Sequence, residues 1–225
     1  MIKIILGGVG SGKSITAIKD IIKTETNGKS LIFTNFNVRK KGIFRLKESH
    51  IIKNFGSEKK PDYKVNFEFW NDLIKKGIKF DIYIDEAHNI INARRSMSKW
   101  NILFNKWFTQ IRKILGDMKE HHLIVISQRK NAIDLTVRDL AQEIIFCLKK
   151  EFKPINTEIE PNKFKLCPKT YIFLFHFEGM RMSQDFELFL MGSKTYSKIT
   201  YFLANPFFKY YNSFQLLNFG EGSFI

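Results

Sequence analysis

The sequence predicts an α/β fold in which a mainly parallel β-sheet is covered by helices on both faces. Short apolar runs alternate along the chain with longer segments of helical periodicity, and this alternation is typical of parallel sheets. A glycine-rich loop follows the first apolar run, and an acidic pair ends a later one, as functional groups do at the carboxyl edge of such a sheet. A small C-terminal extension that contains β-strands is expected beyond this core.

The elements of the core follow from the apolar runs and their spacing. The first strand is Ile2–Leu6, a short apolar run of the kind that parallel sheets bury. The segment 14–24 repeats apolar residues at helical intervals and predicts a helix. The remaining predicted strands are 30–34, Phe80–Ile84, 123–127 and 143–148, and the remaining predicted helices are 67–76 and 97–119.

Two segments of the core are rich in basic residues. Residues 39–60 carry eight Lys or Arg against two Glu, which indicates an exposed basic segment. Residues 94–119 carry seven basic side chains and one acidic one, so this face either grips phosphates or is a solvated helix side. The aromatic residues within 100–108 allow base stacking as one interpretation, but their helical spacing favours a place in the core.

The character of the chain changes after residue 150. Residues 151–169 hold three of the five prolines and show no period, which predicts a linker or long loop. Two strand-like segments follow, 171–177 and 186–190. The tail from Tyr196 is aromatic and nearly uncharged, and we expect it to pack on the main domain or on a neighbouring subunit. We therefore divide the chain into a core, 1–150, and an extension, 151–225, that completes or decorates the same domain.

The chain is strongly basic. Its formal net charge is +15, of which residues 1–145 carry +12. Such an excess points to a polyanionic partner, most often nucleic acid and less often an anionic membrane. The alternative is a composition biased by an AT-rich genome. Because the charge is concentrated in the core, a nucleic-acid strand is expected to be gripped there.

The two cysteines, Cys147 and Cys167, have no metal-ligand spacing and are expected to be small apolar residues of a protein from a reducing compartment. We find no signal peptide and no apolar run of about 18 residues, the length that crosses a membrane. The sequence therefore predicts a soluble protein of the host-cell cytoplasm without a transmembrane segment of its own.

The glycine-rich loop carries the strongest motif. It fits the pattern GxxxxGK[ST] at every fixed position, through Gly7, Gly8, Val9, Gly10, Ser11, Gly12, Lys13 and Ser14. Glycines let the backbone wrap around phosphates, and the N-terminal end of the following helix attracts anions. Lys13 is expected to reach the β- and γ-phosphates of ATP, and the Ser14 hydroxyl to ligate Mg²⁺. The fold class is therefore that of a P-loop NTPase.

A second motif ends the strand Phe80–Ile84. Asp85 follows this apolar run and is expected to hold Mg²⁺ through its water shell. Glu86 is expected to act as general base on the attacking water. An acidic pair at a strand end is common, so this prediction depends on the P-loop before it. An acid at position 86 favours hydrolysis over phosphate transfer to a small acceptor, and His88 is assigned no chemical role.

Two further residue types have candidate roles. Gln128 follows the strand 123–127 and is either a sensor of the γ-phosphate or an exposed loop residue. A neighbouring subunit's arginine stabilises the transition state in many ring ATPases. Arg138 is the first candidate for such a finger, and Arg112 is the second. The other arginines of this stretch, Arg94, Arg95 and Arg129, are expected to lie at the surface or to contact nucleic acid.

Three segments together resemble a known family. GGVGSGKS, YIDEAHNIINAR and LIVISQRKNAIDLTVRDLA look like the zonular occludens toxin (Zot) and filamentous-phage assembly ATPase family, within the FtsK/HerA group of DNA-pumping ATPases. The tail 205–213, NPFFKYYNS, is similar to the end of the Zot cytoplasmic domain. The resemblance covers residues 1–150 well and 170–215 loosely.

The resemblance implies a strand order in which the strand before Gln128 lies between the P-loop strand and the strand before Asp85. It also implies the roles given above for Lys13, Ser14, Asp85 and Glu86, the sensing role of Gln128, and a ring of identical subunits that moves DNA. Membrane-anchored members continue into a transmembrane helix and an outer domain, and from this sequence we expect neither. That departure favours a motor such as the genome-packaging ATPase of a small virus.

Four functions are compatible with these observations. The first is an ATP-hydrolysing motor that packages viral DNA in a homo-oligomeric ring, with viral capsid proteins as possible partners. The second is an ATPase for virion assembly and extrusion at the inner membrane, which acts through membrane-embedded assembly proteins. A nucleotide-dependent switch without turnover is a third, and Glu86 argues against it. A nucleotide or nucleoside kinase is a fourth, but it requires an acceptor pocket and a lid.

Overall fold

The computed structural model describes residues 1–28, 30–87, 99–115, 121–133, 135–152 and 169–211. Ten strands are present in these residues: β1 Ile2–Leu6, β2 Leu31–Thr34, β3 Ile43–Arg45, β4 Ile52–Asn54, β5 Tyr63–Val65, β6 Phe80–Ile84, β7 His122–Ser127, β8 Glu143–Phe152, β9 Lys169–Glu178 and β10 Lys198–Leu203. The helices are α1 Lys13–Thr26, α2 Glu48–Ile51, α3 Phe67–Lys75, α4 Lys99–Leu115, α5 Leu135–Leu140 and α6 Met182–Leu190. Two 3-10 helices cover Lys130–Ala132 and Asn205–Tyr210.

Eight of the strands form one sheet in the order β10-β9-β8-β1-β7-β6-β2-β3. The six strands from β8 to β3 are parallel, and β9 and β10 add an antiparallel edge. β4 and β5 form a separate antiparallel pair. The predicted α/β class with a mainly parallel sheet is confirmed. β7, the strand before Gln128, lies between β1 and β6, as the family resemblance implied.

Helices cover both faces of the sheet, which explains why the central strands are apolar along their whole length. On one face α3, α4 and α6 bury large side chains, among them Trp70 and Trp107. On the other face α1 buries Ile18 and Ile21 against the strands. Phe104, Trp107 and Phe108 of α4 are fully buried, so the described aromatic residues of this helix belong to the core rather than to a base-stacking platform.

The prediction of an exposed basic segment at 39–60 is confirmed for most of its basic side chains, but it overlooked that the segment also folds onto the core. This stretch contains β3, α2 and β4, and it buries Leu46, Ile51 and Ile52 in the core. These few apolar residues are separated by lysines and polar residues, so neither a period of 2 nor one of 3.6 is visible in the sequence. The apolar anchors fold the segment onto the sheet, while most of its basic side chains stay exposed.

The prediction of a strand at 186–190 is wrong, because these residues form the second half of α6. The alternation in FELFL imitates a strand, but the side chains that pack inwards follow a helical spacing. Phe186 is buried, and the ring of Phe189 packs on Phe175 with 4.9 Å between ring centroids. Tertiary packing of these phenylalanines therefore decides in favour of the helix.

The C-terminal extension continues the sheet. β8 runs to Phe152 and β9 begins at Lys169, so the predicted linker is shorter at both ends, and residues 153–168 lie outside the described residues. The 3-10 helix Asn205–Tyr210 packs back on α1. Lys19 Nζ of α1 also lies 4.5 Å from the centroid of the Phe202 ring in β10. None of the helices in the described parts of the chain has the length and apolar run needed to cross a bilayer.

A buried polar cluster joins four strands at the antiparallel edge. Glu143 of β8 is 3% exposed and lies 2.8 Å from Lys3 Nζ of β1. The same carboxylate accepts a hydrogen bond from His176 Nδ1 of β9 at 2.6 Å. His176 Nε2 lies 2.8 Å from the hydroxyl of Thr200 in β10. These contacts compensate the burial of the Glu143 charge.

Replacing Glu143 with glutamine is expected to destabilise the fold at neutral pH by about 2 to 3 kcal/mol. Burial raises the pKa of Glu143, but hydrogen bonds from His176 and Lys3 outweigh burial and lower this pKa from 4.5 to about 2. A carboxyl with a lowered pKa contributes stability above its unfolded pKa and loses it as the pH falls from about 4.5 to about 2. Urea unfolding of both proteins between pH 7 and pH 2 measures the gap, which is expected to close in acid.

The matched control is Glu178→Gln, which removes an exposed carboxylate paired with Lys198 at 2.9 Å. Such a surface pair contributes less than about 1 kcal/mol. A Glu143→Gln gap that stays constant over the whole pH range would show that the loss comes from packing and not from the charge.

Candidate nucleotide-binding site

The loop between β1 and α1 requires glycine at specific positions. Gly7, Gly10 and Gly12 have φ angles of 151°, 72° and 97°, which side chains rarely allow. A Cβ atom on Gly12 would collide with the side chain of Ile172, and one on Gly7 would lie 2.8 Å from the carbonyl oxygen of Cys147. The sequence uses glycine here so that the backbone can turn tightly against β8 and β9 and into the first helix.

The loop leads directly into the N-terminal end of α1. Gly12 caps this helix in a left-handed conformation, and the first turn contains no acidic residue. Unpaired N–H groups and the helix dipole make such an end favourable for an anion. Lys13 is the first residue of the helix and is 7% exposed, and its ammonium group donates to the carbonyl oxygen of Gly8 at 2.9 Å. The lysine side chain is thus folded back over the loop, with its charge beside the backbone that would hold phosphate.

Ser14 and Asp85 bring two oxygen ligands together from different elements. The Ser14 hydroxyl donates to Asp85 Oδ2 at 2.6 Å, which joins α1 to the end of β6. Burial is the main influence on Asp85 and raises its pKa, while hydrogen bonds from Ser14 and from the Glu86 backbone N–H oppose this effect. A hydroxyl and a carboxylate oxygen are the hard donors that Mg²⁺ prefers, so this pair fits a magnesium ion.

Asn35 holds Asp85 in place, and sequence analysis did not identify it. Its side-chain Nδ2 donates to the carbonyl oxygen of Asp85 at 2.8 Å, and its Oδ1 accepts from the Asp85 N–H at 2.7 Å. Asn35 is 2% exposed and follows β2, the strand that pairs with β6. The only signal in the sequence was a polar residue directly after an apolar strand.

Glu86 is the only described non-glycine residue with a positive φ, at 50°. A left-handed backbone at a non-glycine residue costs of the order of 1 kcal/mol and commonly marks a functional site. Gln128, at the end of β7, donates from Nε2 towards the Glu86 carboxylate at 3.4 and 3.5 Å. The neighbouring strand ends therefore place the predicted base and the predicted sensor beside each other.

Lys13, Ser14, Glu86 and Gln128 line one cavity of about 610 Å³. Its walls are formed by Val9, Gly10, Gly12, Lys13, Ser14, Ile15, Glu86, Gln128, Lys149, Ile172, Phe208 and Tyr211. The last four come from β8, β9 and the tail, and sequence analysis missed them because they are distant in the chain from both motifs. Tyr211 lies in the wall of the cavity. Burial raises the pKa of its phenol, and a hydrogen bond with Ser14 opposes this shift.

The arginine candidates lie elsewhere. Arg138 is in α5, where it donates to the side chain of Asn131 at 3.1 Å, and it does not line the cavity of its own chain. Arg112 is in α4, but its side chain lies outside the described residues, as do Arg94 and Arg95. The arginine finger therefore stays a prediction about contacts between subunits.

Three solved structures are similar to this chain. The N-terminal domain of zonular occludens toxin from Neisseria meningitidis is 17% identical, with a TM-score of 0.51 over 94% of this chain and 98% of that chain. The genome packaging NTPase B204 of Sulfolobus turreted icosahedral virus 2, in complex with ATP-gammaS, is 18% identical, with a TM-score of 0.42 over 77% and 91%. The KaiC-like protein PH0186 from Pyrococcus horikoshii OT3 is 14% identical, with a TM-score of 0.43 over 77% of each chain.

At 17% identity the likeness to the Neisseria domain shows a shared fold. No match was found among curated protein sequences. The model of one protein family, described as Zonular occludens toxin (Zot), matches residues 1–167. The match covers most of the chain, and the chain therefore belongs to the Zot family.

Proposed function

We propose that this Zot-family chain is an ATP-hydrolysing motor that moves viral DNA, with genome packaging as its task. One observation carries the hydrolytic part of the proposal. The phosphate-binding loop, the Ser14–Asp85 pair and the Glu86–Gln128 pair all belong to one side of the sheet, at the carboxyl ends of β1, β6 and β7. Ligands bind at this edge of open α/β sheets.

Binding of ATP uses the backbone and Lys13. The loop's N–H groups and the end of α1 surround the phosphates, and the Lys13 ammonium exchanges its contact with Gly8 for the β- and γ-phosphate oxygens. Ser14 and Asp85 would hold Mg²⁺, which would neutralise phosphate charge when bound. Asn35 keeps Asp85 in position through its two hydrogen bonds to the Asp85 backbone.

Hydrolysis uses Glu86 and Gln128. A water molecule attacks the γ-phosphorus, the bond to the bridging oxygen of ADP breaks, and the proton of the water passes to the Glu86 carboxylate. Gln128 positions Glu86 and the water by hydrogen bonds from its amide. Lys13 stabilises the charge that develops on the phosphate oxygens. In a ring of identical subunits Arg138, or Arg112 as the second candidate, adds a positive charge from the neighbouring subunit.

The DNA part of the proposal depends on charge. Residues 1–145 carry 12 of the 15 net positive charges, and these residues contain the nucleotide-binding cavity's two motifs. A motor that grips phosphates in the same unit that hydrolyses ATP needs this distribution.

Membership in the Zot family also favours a second task, virion assembly and extrusion at the inner membrane through a membrane-embedded partner. Co-sedimentation of the chain with membranes that contain such partners would favour this second task over packaging.

DNA is expected to stimulate ATP hydrolysis by the purified chain several-fold at low salt. The stimulation is expected to fade as salt rises towards physiological concentration, because phosphate contacts weaken steeply with salt. The measurement is the rate of phosphate release with no DNA, with single-stranded DNA and with duplex DNA, at each salt concentration. Hydrolysis that is indifferent to DNA at every salt concentration would leave an ATPase but remove the DNA motor.

A further inference from the structure

The far ends of β8, β9 and β10 carry an exposed aromatic surface that the nucleotide site does not use. Phe152, Tyr171, Phe173 and Tyr201, which we name the aromatic platform, line a shallow cavity of about 420 Å³ together with Lys169. Tyr201 is 66% exposed and Phe152 is 46% exposed. Large aromatic side chains usually bury most of their surface, so a cluster of this kind marks a binding surface.

The strand register places these rings on one face of the sheet. Phe173 pairs with Tyr201 across β9 and β10, and Phe152 pairs with Lys169 across β8 and β9. Tyr171 is two residues from Phe173 and therefore points to the same side. This face carries α6 nearer to the start of β8, but the platform lies beyond that helix.

The rings are near one another without stacking closely. Ring centroids are 5.5 Å apart between Phe152 and Tyr171, 6.3 Å between Tyr171 and Tyr201, and 5.8 Å between Phe173 and Tyr201. The interplanar angles of these pairs are 89°, 58° and 33°, so none of the three pairs is stacked face to face. Part of their π-faces therefore stays available to flat partners.

The charge around the platform has one sign. Lys150 and Lys169 are exposed on the same face, and Lys150 Nζ lies 5.2 Å from the centroid of the Phe152 ring. The described residues of β8, β9 and β10 that point to this face include no Asp or Glu. A second copy of this chain, placed against its own lysines, would meet like charge. A polyanion with flat apolar groups complements both the lysines and the rings.

We propose that the aromatic platform binds single-stranded nucleic acid, with bases stacked on the rings and phosphates paired with Lys150 and Lys169. Stacking requires unpaired bases, because a duplex does not offer their faces. The proposal extends the proposed function, since it identifies a nucleic-acid surface outside the nucleotide cavity. The two sites are separated by one thickness of the sheet, because Lys149 and Ile172 point into the nucleotide cavity while Lys150 and Tyr171 point to the platform.

The test is the double variant Phe152→Ala/Tyr201→Ala in the full chain. Both side chains are largely exposed, so the fold is expected to be retained, and its thermal unfolding temperature checks this. Fluorescence anisotropy with a labelled 20-nucleotide oligo(dT) is expected to show binding weakened about tenfold or more relative to the wild type. Duplex DNA of the same length is expected to bind within about twofold of the wild type, and hydrolysis without DNA is expected to be unchanged.

The matched control is Phe55→Ala, which removes another exposed phenylalanine with lysines beside its ring, Lys53 at 5.2 Å and Lys64 at 5.8 Å. It is expected to bind oligo(dT) as the wild type does. A Lys150→Ala/Lys169→Ala variant is expected to reduce the slope of log affinity against log salt by about 1.4, the value for two single-strand phosphates.

Three results would overturn the proposal. The first is unchanged oligo(dT) binding by the folded Phe152→Ala/Tyr201→Ala protein. The second is an equal loss in the Phe55→Ala control, which would show that the loss is not specific to the aromatic platform. The third is a change in sedimentation from oligomer to monomer with no change in oligo(dT) binding, which would assign the platform to contact between copies. In each of these cases DNA-stimulated hydrolysis is measured separately, so the proposed function is tested independently.

Discussion

Replacing Lys13 with alanine is expected to reduce the kcat/KM of ATP hydrolysis about 100- to 1,000-fold, the effect of removing one charged group that stabilises the transition state. Lys13 is almost fully buried at the start of α1, and its ammonium lies beside the loop that we propose to surround the phosphates. Its loss is also expected to weaken ATP binding about 10- to 100-fold, because one charge-assisted hydrogen bond disappears. Phosphate release and titration with a fluorescent ATP analogue measure the two effects.

Lys23→Ala is the matched control for this experiment. Lys23 is an exposed lysine of the same helix and is absent from the walls of the cavity. Both variants lower the net charge of the chain by one. A difference between them in ATP hydrolysis or ATP affinity is therefore due to the position of the lysine and not to the overall charge. Near-normal turnover in Lys13→Ala would remove the P-loop assignment.

The second large effect is expected for Glu86→Gln, which should bind ATP normally and hydrolyse it about 100- to 10,000-fold more slowly. Glutamine has the same shape as glutamate, but its amide does not accept the proton of the attacking water. ATP affinity, single-turnover hydrolysis and the size of the ATP-bound oligomer are the three measurements. Brisk hydrolysis by this variant would assign the base role to another group.

A companion variant, Glu86→Gly, separates the backbone from the side chain. Because Glu86 has a φ of 50°, the free energy of unfolding of the Glu86→Gly variant is expected to be about 0.5 to 1 kcal/mol higher than that of the Glu86→Gln variant. Both variants lack the carboxylate, so thermal or urea unfolding of the pair isolates the cost of the left-handed backbone. Equal stabilities would show that position 86 stores no strain.

The parts of the site that the sequence predicted are those with a fixed local spacing. Lys13 and Ser14 are adjacent in a loop that starts a helix, and Asp85 and Glu86 follow a strand whose apolar run is unmistakable. Sheet geometry brings such strand ends to one edge, so a prediction that places each residue at the end of a strand also places them near one another.

The parts that were missed depend on contacts between distant segments. Asn35 is one asparagine after a strand, and only the pairing of β2 with β6 gives it the Asp85 backbone as a partner. Tyr211 and Lys149 reach the cavity because β8 to β10 extend the sheet on the P-loop side. No local period encodes these neighbours. The wrong prediction of a strand at 186–190 has the same cause. The alternation of apolar residues is a local pattern, whereas Phe186 packs against residues that are distant along the chain.

The position of β1 in the sheet has a consequence for synthesis of the protein. Both neighbours of β1 are more than a hundred residues away along the chain, with Ile2 opposite Leu123 on one side and Lys3 opposite Glu143 on the other. At about 5 to 20 residues per second, the ribosome needs roughly 6 to 28 s to make the intervening chain. During that time the apolar first strand has no partner, and the loop after it has no sheet to support it. A chaperone bound to the nascent chain would protect this strand during that interval, and the ability to bind nucleotide would arise late, as one of the last properties acquired in folding.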